Sequence, residues 1–324
     1  MTDQSDRTET RRWPLGAMAL AGATGAGLAL WSGWAARAAE RAVPAAGAFV
    51  DIDGHRIHYV EKGAGAPILM VHGLLGNLHH FAHSLIERLA KDHRVIAIDR
   101  PGSGWSESAP GMHPGIVEQG RLVAKFADRL AIERPLLVGH SLGGAVALAA
   151  ALDHPGRFAG LALLAPLTQP VETPPAVFAA LAVPPPVSAA LSWTLAVPMG
   201  MLGRDRALGE VFGPDPVPAD FGVRGGGLLS MRPVAYRAGS ADLRDARGAM
   251  TALAPRYRDL ALPVGILYGR QDRLLDAELH GRATAATIPG ADLRMLDAGH
   301  MLPITRAAES EAMIRAVEKR AQAG

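Results

Sequence analysis

Arg134-Pro-Leu-Leu-Val138, then Gly139-His140-Ser141-Leu142-Gly143, then Gly144-Ala-Val-Ala-Leu-Ala-Ala-Ala-Leu152 form the stretch that decides the fold. The first run is short and apolar and reads as a buried strand; the last is Ala-rich and reads as a packed helix. A G-x-S-x-G sequence between a strand and a helix has to turn so tightly that the serine is strained and its hydroxyl stands out above a sheet. Glycines on both flanks let neighbouring backbone and helix approach without clash. The helix N-terminus beneath the serine offers free N–H groups and the positive end of the helix dipole, which suits a developing oxyanion.

On either side of this turn the same alternation repeats. Residues 68–71, 94–98, 161–164, 264–268 and 292–296 read as strands, and residues 85–90, 116–130 and 310–321 have helical spacing of apolar positions. Residues 49–53 and 56–60 read as a hairpin with Asp53-Gly54 at its turn. Apolar strands alternating with helices predict an α/β fold, a mostly parallel sheet flanked by helices. Ligands of such sheets bind at the carboxyl ends of the strands. His72, Asp99, Ser141, Asp272 and His300 each lie just after a predicted strand, so they share one edge. Residues 168–258 break the alternation with Pro174-Pro175, Pro184-Pro185-Pro186 and Gly225-Gly226-Gly227. That segment is expected to be an inserted helical lid, which leaves 49–167 and 259–324 as the core.

Composition limits the partners. The chain has 324 residues, with Lys+Arg 33 against Asp+Glu 31 and a net charge of +2. Nothing in that balance points to nucleic acid. With no cysteine, disulfides, thiolate chemistry and zinc–thiolate sites are excluded. The N-terminus is set apart from the fold. Residues 1–12 form a polar tail ending in Arg11-Arg12, and residues 13–36 carry no charge, a length sufficient to cross a bilayer core of about 30 Å as a helix. Trp13, Trp31 and Trp34 suit the two interfaces. The expectation is a single-pass membrane anchor followed by a linker at 37–48. The alternatives are an export signal cleaved at Ala36-Arg37-Ala38, with Arg11-Arg12 as a twin-arginine pair and a periplasmic product, or a buried helix of the globular part. Arg7, Arg11 and Arg12 before the span slightly outweigh Arg37 and Arg41 after it, which favours a catalytic domain outside the cytoplasm.

His72-Gly73, Asp99-Arg-Pro-Gly-Ser-Gly-Trp-Ser106, Gly139-His-Ser-Leu-Gly-Gly144, Gly269-Arg-Gln-Asp272 and Ala298-Gly-His300 together resemble the α/β-hydrolase superfamily, specifically its lid-bearing serine hydrolases. The resemblance runs over about residues 49–320 and is weakest across the lid. It implies Ser141 as nucleophile, whose neutral hydroxyl needs an adjacent base. A relative with Asp there would open epoxides or displace halide, and serine argues against both. It implies His300 as that base, last in the order Ser…Asp…His. Asp272 is the implied orienting acid, with Asp276 one helical turn on as the alternative; no acid follows residues 161–164. The backbone N–H groups of Leu74 and Leu142 are the implied oxyanion hole.

Asp99 to Gly104 is read as shaping the loop beside the site, and His72 and His140 as fixing loop geometry. His79, His80 and His83 cluster, but without a carboxylate set they are not read as a metal site. No cofactor is expected. The function expected is hydrolysis of a small-molecule carboxylic ester with a mainly apolar group, because residues 168–258 are rich in Ala, Leu, Val, Pro and Met. Amide hydrolysis, C–C bond hydrolysis and perhydrolysis can use the same triad, and a non-catalytic membrane-tethered accessory protein of the same fold is the alternative from another class.

Overall fold

Strands β1 (Ala48–Ile52) and β2 (His55–Lys62) form the predicted hairpin, with Asp53 at φ 50° and Gly54 at φ 80° in its turn. Two successive positive-φ residues match the right-handed twist of the strands they join, which is why Asp-Gly serves there. The structure, a computed structural model, describes residues 15–323, with side chains from Leu20 onward. The polar tail at 1–12, its Arg11-Arg12 pair and Trp13 lie outside the described residues.

Six further strands complete one sheet: β3 (Ala66–Val71), β4 (His93–Ile98), β5 (Leu136–His140), β6 (Gly160–Leu164), β7 (Val264–Gly269) and β8 (Asp292–Leu296). The spatial order is β1-β2-β4-β3-β5-β6-β7-β8. β1, β2 and β4 pair antiparallel, and every pair from β4 to β8 is parallel. Every residue of β5, β6 and β7 is buried, as strands covered on both faces must be. From β3 the chain moves to β4 on one side and then to β5 on the other. The reversal opens a crevice at the carboxyl ends of β3 and β5. Val71 pairs with Gly139, so the His72-Gly73 turn emerges beside His140-Ser141.

The helices in chain order are α1 (Leu15–Ala42), α2 (His79–Ala82), α3 (Leu85–Leu89), α4 (Ile116–Arg129), α5 (Leu142–Asp153), α6 (Pro185–Trp193), α7 (Ala196–Leu202), α8 (Arg204–Phe212), α9 (Pro233–Leu253), α10 (Thr284–Thr287), α11 (Leu302–Thr305) and α12 (Ala307–Ala323). α4 buries Ile116, Gln119, Gly120, Val123 and Ala127 on one face. α5 is buried on every side from Leu142 to Leu152, which accounts for its unbroken apolar sequence. α6 to α9 are inserted between β6 and β7, with Pro in the first turn of α6 and of α9, where the missing N–H costs nothing.

The N-terminal segment departs from expectation. α1 continues through Ala42, so residues 37–42 are helix rather than linker. Contacts to distant groups extend it: Ala39 and Val43 are buried, Arg232 Nη1 donates to Glu40 Oε1 at 2.9 Å, and Trp105 Nε1 donates to the Val43 carbonyl at 3.1 Å. Among the described residues no helix is long and apolar enough to cross a membrane. The Gly and Ala of α1 bring too little apolar surface.

Candidate active site

Ser141 joins β5 to α5 with φ 55° and ψ −123°, a conformation that costs a non-glycine residue about 1–3 kcal/mol. Hydrogen bonds from its backbone hold it there. The Ser141 amide donates to the Leu164 carbonyl at 3.1 Å, and the Gly144 and Leu167 amides donate to the Ser141 carbonyl at 2.8 and 2.9 Å. The glycines around it answer to close approach. A Cβ on Gly139 would stand 2.5 Å from the Gly143 carbonyl oxygen, one on Gly143 2.1 Å from that of Val71, and one on Gly144 2.5 Å from Pro166 Cβ.

His300 follows β8 and Asp272 follows β7. His300 Nδ1 lies 2.6 Å from Asp272 Oδ2, and both side chains are buried. A carboxylate only accepts, so Nδ1 carries a proton; in the neutral ring that leaves the lone pair on Nε2, the tautomer a general base requires. Asp272 Oδ1 accepts the amides of Leu274 and Leu275. Asp276, the alternative acid, accepts the amides of Glu278 and Leu279 and is exposed. It caps the next helical turn instead of meeting His300.

Leu142 opens α5, where its N–H has no intrahelical acceptor. Leu74 follows Gly73, whose hydrogen faces Ser141: a Cβ there would stand 2.8 Å from Ser141 Cβ. Ser141, His300 and Leu74 line one cavity of about 1000 Å³. Its other walls are mainly apolar and come from the insertion, among them Leu181, Leu191, Leu195, Met199 and Phe221.

The loop after β4 is a buried polar network. Asp99 Oδ2 meets His58 Nδ1 at 2.7 Å and accepts the Trp105 amide, while Oδ1 accepts the Leu78 amide. Burial opposes its charge, but His58 and these contacts hold its carboxyl below the usual range. Arg100 is 1% exposed and donates to the carbonyls of His72 and Gly73, to Gln119 Oε1 and to Asp242 Oδ2. His72 Nδ1 donates to the Gly73 carbonyl and its Nε2 accepts the Arg100 amide. Burial, with Arg100 nearby, pushes the His72 pKa down to about 3. His140 Nε2 donates to the His300 carbonyl at 3.1 Å, and burial keeps that ring neutral too. Both histidines therefore set backbone geometry.

Asp242, Gln119 and His58 carry no signal in the sequence. Each reads there as an ordinary polar position, and only tertiary contact gives it a partner. His83 pairs with Asp220 at 3.0 Å. Among the described residues no group of three or more His, Asp or Glu is placed to hold a metal ion.

A family model described as alpha/beta hydrolase fold matches residues 66–307. The dihydrolipoyllysine-residue acetyltransferase component of the acetoin cleaving system of Cupriavidus necator is 39% identical over 132 residues, 40% of this chain and 34% of that protein. The chain thus spans about a third of the length of this curated relative. The enol-lactonase of Burkholderia xenovorans superposes with a TM-score of 0.69 at 23% identity, over 84% of this chain and 100% of that one. A bacterial membrane phospholipase A superposes with a TM-score of 0.65 at 21% identity, over 96% of this chain and 99% of that one. At such identities the two structures speak for the fold alone.

Proposed function

This chain belongs to the alpha/beta hydrolase family, and from that premise we propose that it hydrolyses a carboxylic ester with a mainly apolar group through an acyl-enzyme on Ser141. The observation that carries the reading is His300, held by Asp272 at 2.6 Å and lining one mainly apolar cavity together with Ser141.

In this reading Ser141 Oγ attacks the ester carbonyl as its proton passes to His300 Nε2. Asp272 stabilises the imidazolium. The amides of Leu74 and Leu142 hold the oxyanion, each worth about 3–4 kcal/mol of barrier. Collapse of the adduct expels the alcohol, which takes the proton from His300. A water activated by the same imidazole then attacks the acyl-enzyme, releasing the acid and restoring Ser141. The apolar walls from residues 168–258 support an apolar acyl or alcohol group, with that segment acting as a lid over the 49–167 and 259–324 core.

Attachment to a membrane through the N-terminal segment is a separate proposal. Exposed Leu20, Leu30 and Trp34 on α1 support it. Recovery of the full chain in washed membranes supports it, and recovery wholly in the supernatant overturns it.

The test of the activity is turnover of p-nitrophenyl esters from acetate to palmitate by the full chain and by Ser141→Ala. We expect a rate lower by about 10⁵–10⁶-fold in the variant and an optimum at a medium or long acyl chain. Equal rates in both proteins overturn the serine mechanism, and an optimum at acetate, or faster turnover of the charged p-nitrophenyl hemisuccinate than of the butyrate, overturns the apolar preference.

A further inference from the structure

Helix α9 meets the turn after β3 along one face. Ala235, Ala238, Gly239 and Asp242 fall at i, i+3, i+4 and i+7, and all four are buried. Gly239 leaves room for Leu75, which has φ 52°: a Cβ there would stand 2.7 Å from Leu75 Cδ2. Ala238 meets the next loop, where a Cβ on Gly102 would come within 2.9 Å of its methyl. Asp242 Oδ2 accepts from Arg100 Nη1 at 2.8 Å, while Oδ1 accepts from Gln119 Nε2 at 2.8 Å and His113 Nε2 at 2.9 Å. The insertion also holds the far end of the same turn, through Asn77 Nδ2 donating to the Gly226 carbonyl at 3.0 Å.

Arg100 relays this contact to the backbone. Its Nε donates to the His72 carbonyl at 3.0 Å and its Nη2 to the Gly73 carbonyl at 2.9 Å. The Gly73 carbonyl and the Leu74 N–H belong to one planar trans peptide and point in opposite directions. Whatever fixes that carbonyl therefore fixes where the Leu74 N–H points. His72 Nδ1 and the Gly76 amide bond the same oxygen, at 2.9 and 3.1 Å. Of these donors only the guanidinium is itself anchored outside the core, on Asp242.

We propose that α9 is a positioning element of the oxyanion hole, with Asp242 acting through Arg100 to aim the Leu74 N–H. The inference rests on the serine-hydrolase reading above and deepens it. Along α9 the insertion is then not a free flap but part of the wall that holds the catalytic backbone. A misplacement of about 1 Å at a reacting centre costs about a hundredfold in rate, so a shift of the guanidinium registers in turnover.

The test uses the full chain as Asp242→Asn and Asp242→Glu, with active sites counted by fluorophosphonate labelling of Ser141. The readouts are kcat and KM on p-nitrophenyl butyrate and the inhibition constant of an alkyl boronic acid, whose tetrahedral adduct places an oxygen in the oxyanion hole. We expect kcat per active site lower by about ten- to a hundredfold in Asp242→Asn, KM little changed, and boronate affinity weakened in step. Asp242→Glu keeps the charge pair and should lose less; it carries the test if the Asn variant fails to fold. Full kcat and full boronate affinity in the folded variants, whatever their melting temperature, overturn the proposal. A wild-type chain that neither turns over ester nor takes up fluorophosphonate overturns the serine-hydrolase reading and this inference with it, an outcome distinct from selective retention in the variants.

Discussion

Asp272 divides its carboxylate between two tasks: Oδ2 meets His300 Nδ1 at 2.6 Å, and Oδ1 accepts the Leu274 and Leu275 amides at 2.8 and 3.1 Å. The second set of bonds locks the acid so that the first can orient the ring. Asp272→Asn keeps the shape but removes the charge and the fixed tautomer, and should lower kcat by about 10³–10⁴-fold. Asp276→Asn, in the neighbouring cap, should leave kcat nearly intact and cost at most about 1 kcal/mol of stability. Steady-state kinetics on both variants check this, and a larger loss at Asp276 would reverse the assignment.

The turn at Ser141 tolerates no side chain at Gly143. A Cβ there would meet the carbonyl oxygens of Val71 at 2.1 Å and His72 at 2.5 Å, both backbone atoms of the sheet edge. Gly143→Ala should therefore cost more than about 4 kcal/mol or abolish folding. Gly248, inside α9, has nothing within 4 Å of its Cβ position. Gly248→Ala should stabilise by roughly 0.5–1 kcal/mol through helix propensity. Urea unfolding of the two variants gives the comparison.

Much of this architecture is legible in sequence because burial on both faces makes β5, β6 and β7 continuous apolar runs. The Asp53-Gly54 turn is legible because few dipeptides accept two positive φ values. Ser141 and Asp272 stand out because each follows such a run, and His300 because it follows the strand at 292–296 in Ala298-Gly-His300. The network behind them does not. Asp242 lies 142 residues from Arg100, and an aspartate in a helix rich in Ala and Arg reads as a solvated face. His58 likewise gains its meaning from Asp99 across the sheet edge. The end of α1 is hidden for the same reason: Ala39 and Val43 look like linker until Trp105 and Arg232 supply something to dock on.

Acid should destabilise the fold through its neutral histidines. Burial pushes the pKa values of His72, His80 and His280 down to about 3, about 4 and about 4. His280 Nδ1 accepts the Thr168 and Gln169 amides, both at 3.2 Å, so its protonation also removes an acceptor. The unfolded chain takes up these protons near pH 6.5 and the folded chain only near 3 to 4. Between those values the unfolded state binds more protons, and stability falls as pH falls. His93 runs the other way. Burial opposes its charge, but Glu318 and Asp92 raise its pKa, and its contribution is lost as pH rises. Burial also lowers the pKa values of His55, His79 and His140, so with six histidines against one, unfolding free energy should drop between about pH 7 and about pH 4.5. His280→Gln should flatten the decline, and a flat wild-type profile would contradict it.

Glu40 ties α1 to the helical insertion. Its Oε1 accepts from Arg232 Nη1 at 2.9 Å, and the Arg232 side chain is 6% exposed. Arg232 also donates to the Gly104 and Leu229 carbonyls and sits 5.4 Å from the Trp105 ring centroid. Removing Glu40 leaves a mostly buried guanidinium one acceptor short, which costs about 1–3 kcal/mol. Glu40→Ala should lower the denaturant midpoint by that measure, and Glu40→Gln, which keeps an acceptor, by less. Deleting residues 1–42 removes the same acceptor together with the buried contact of Ala39, so its loss should be at least that of Glu40→Ala. Equal midpoints for the full and shortened chains would show that the docking of α1 carries no weight in stability.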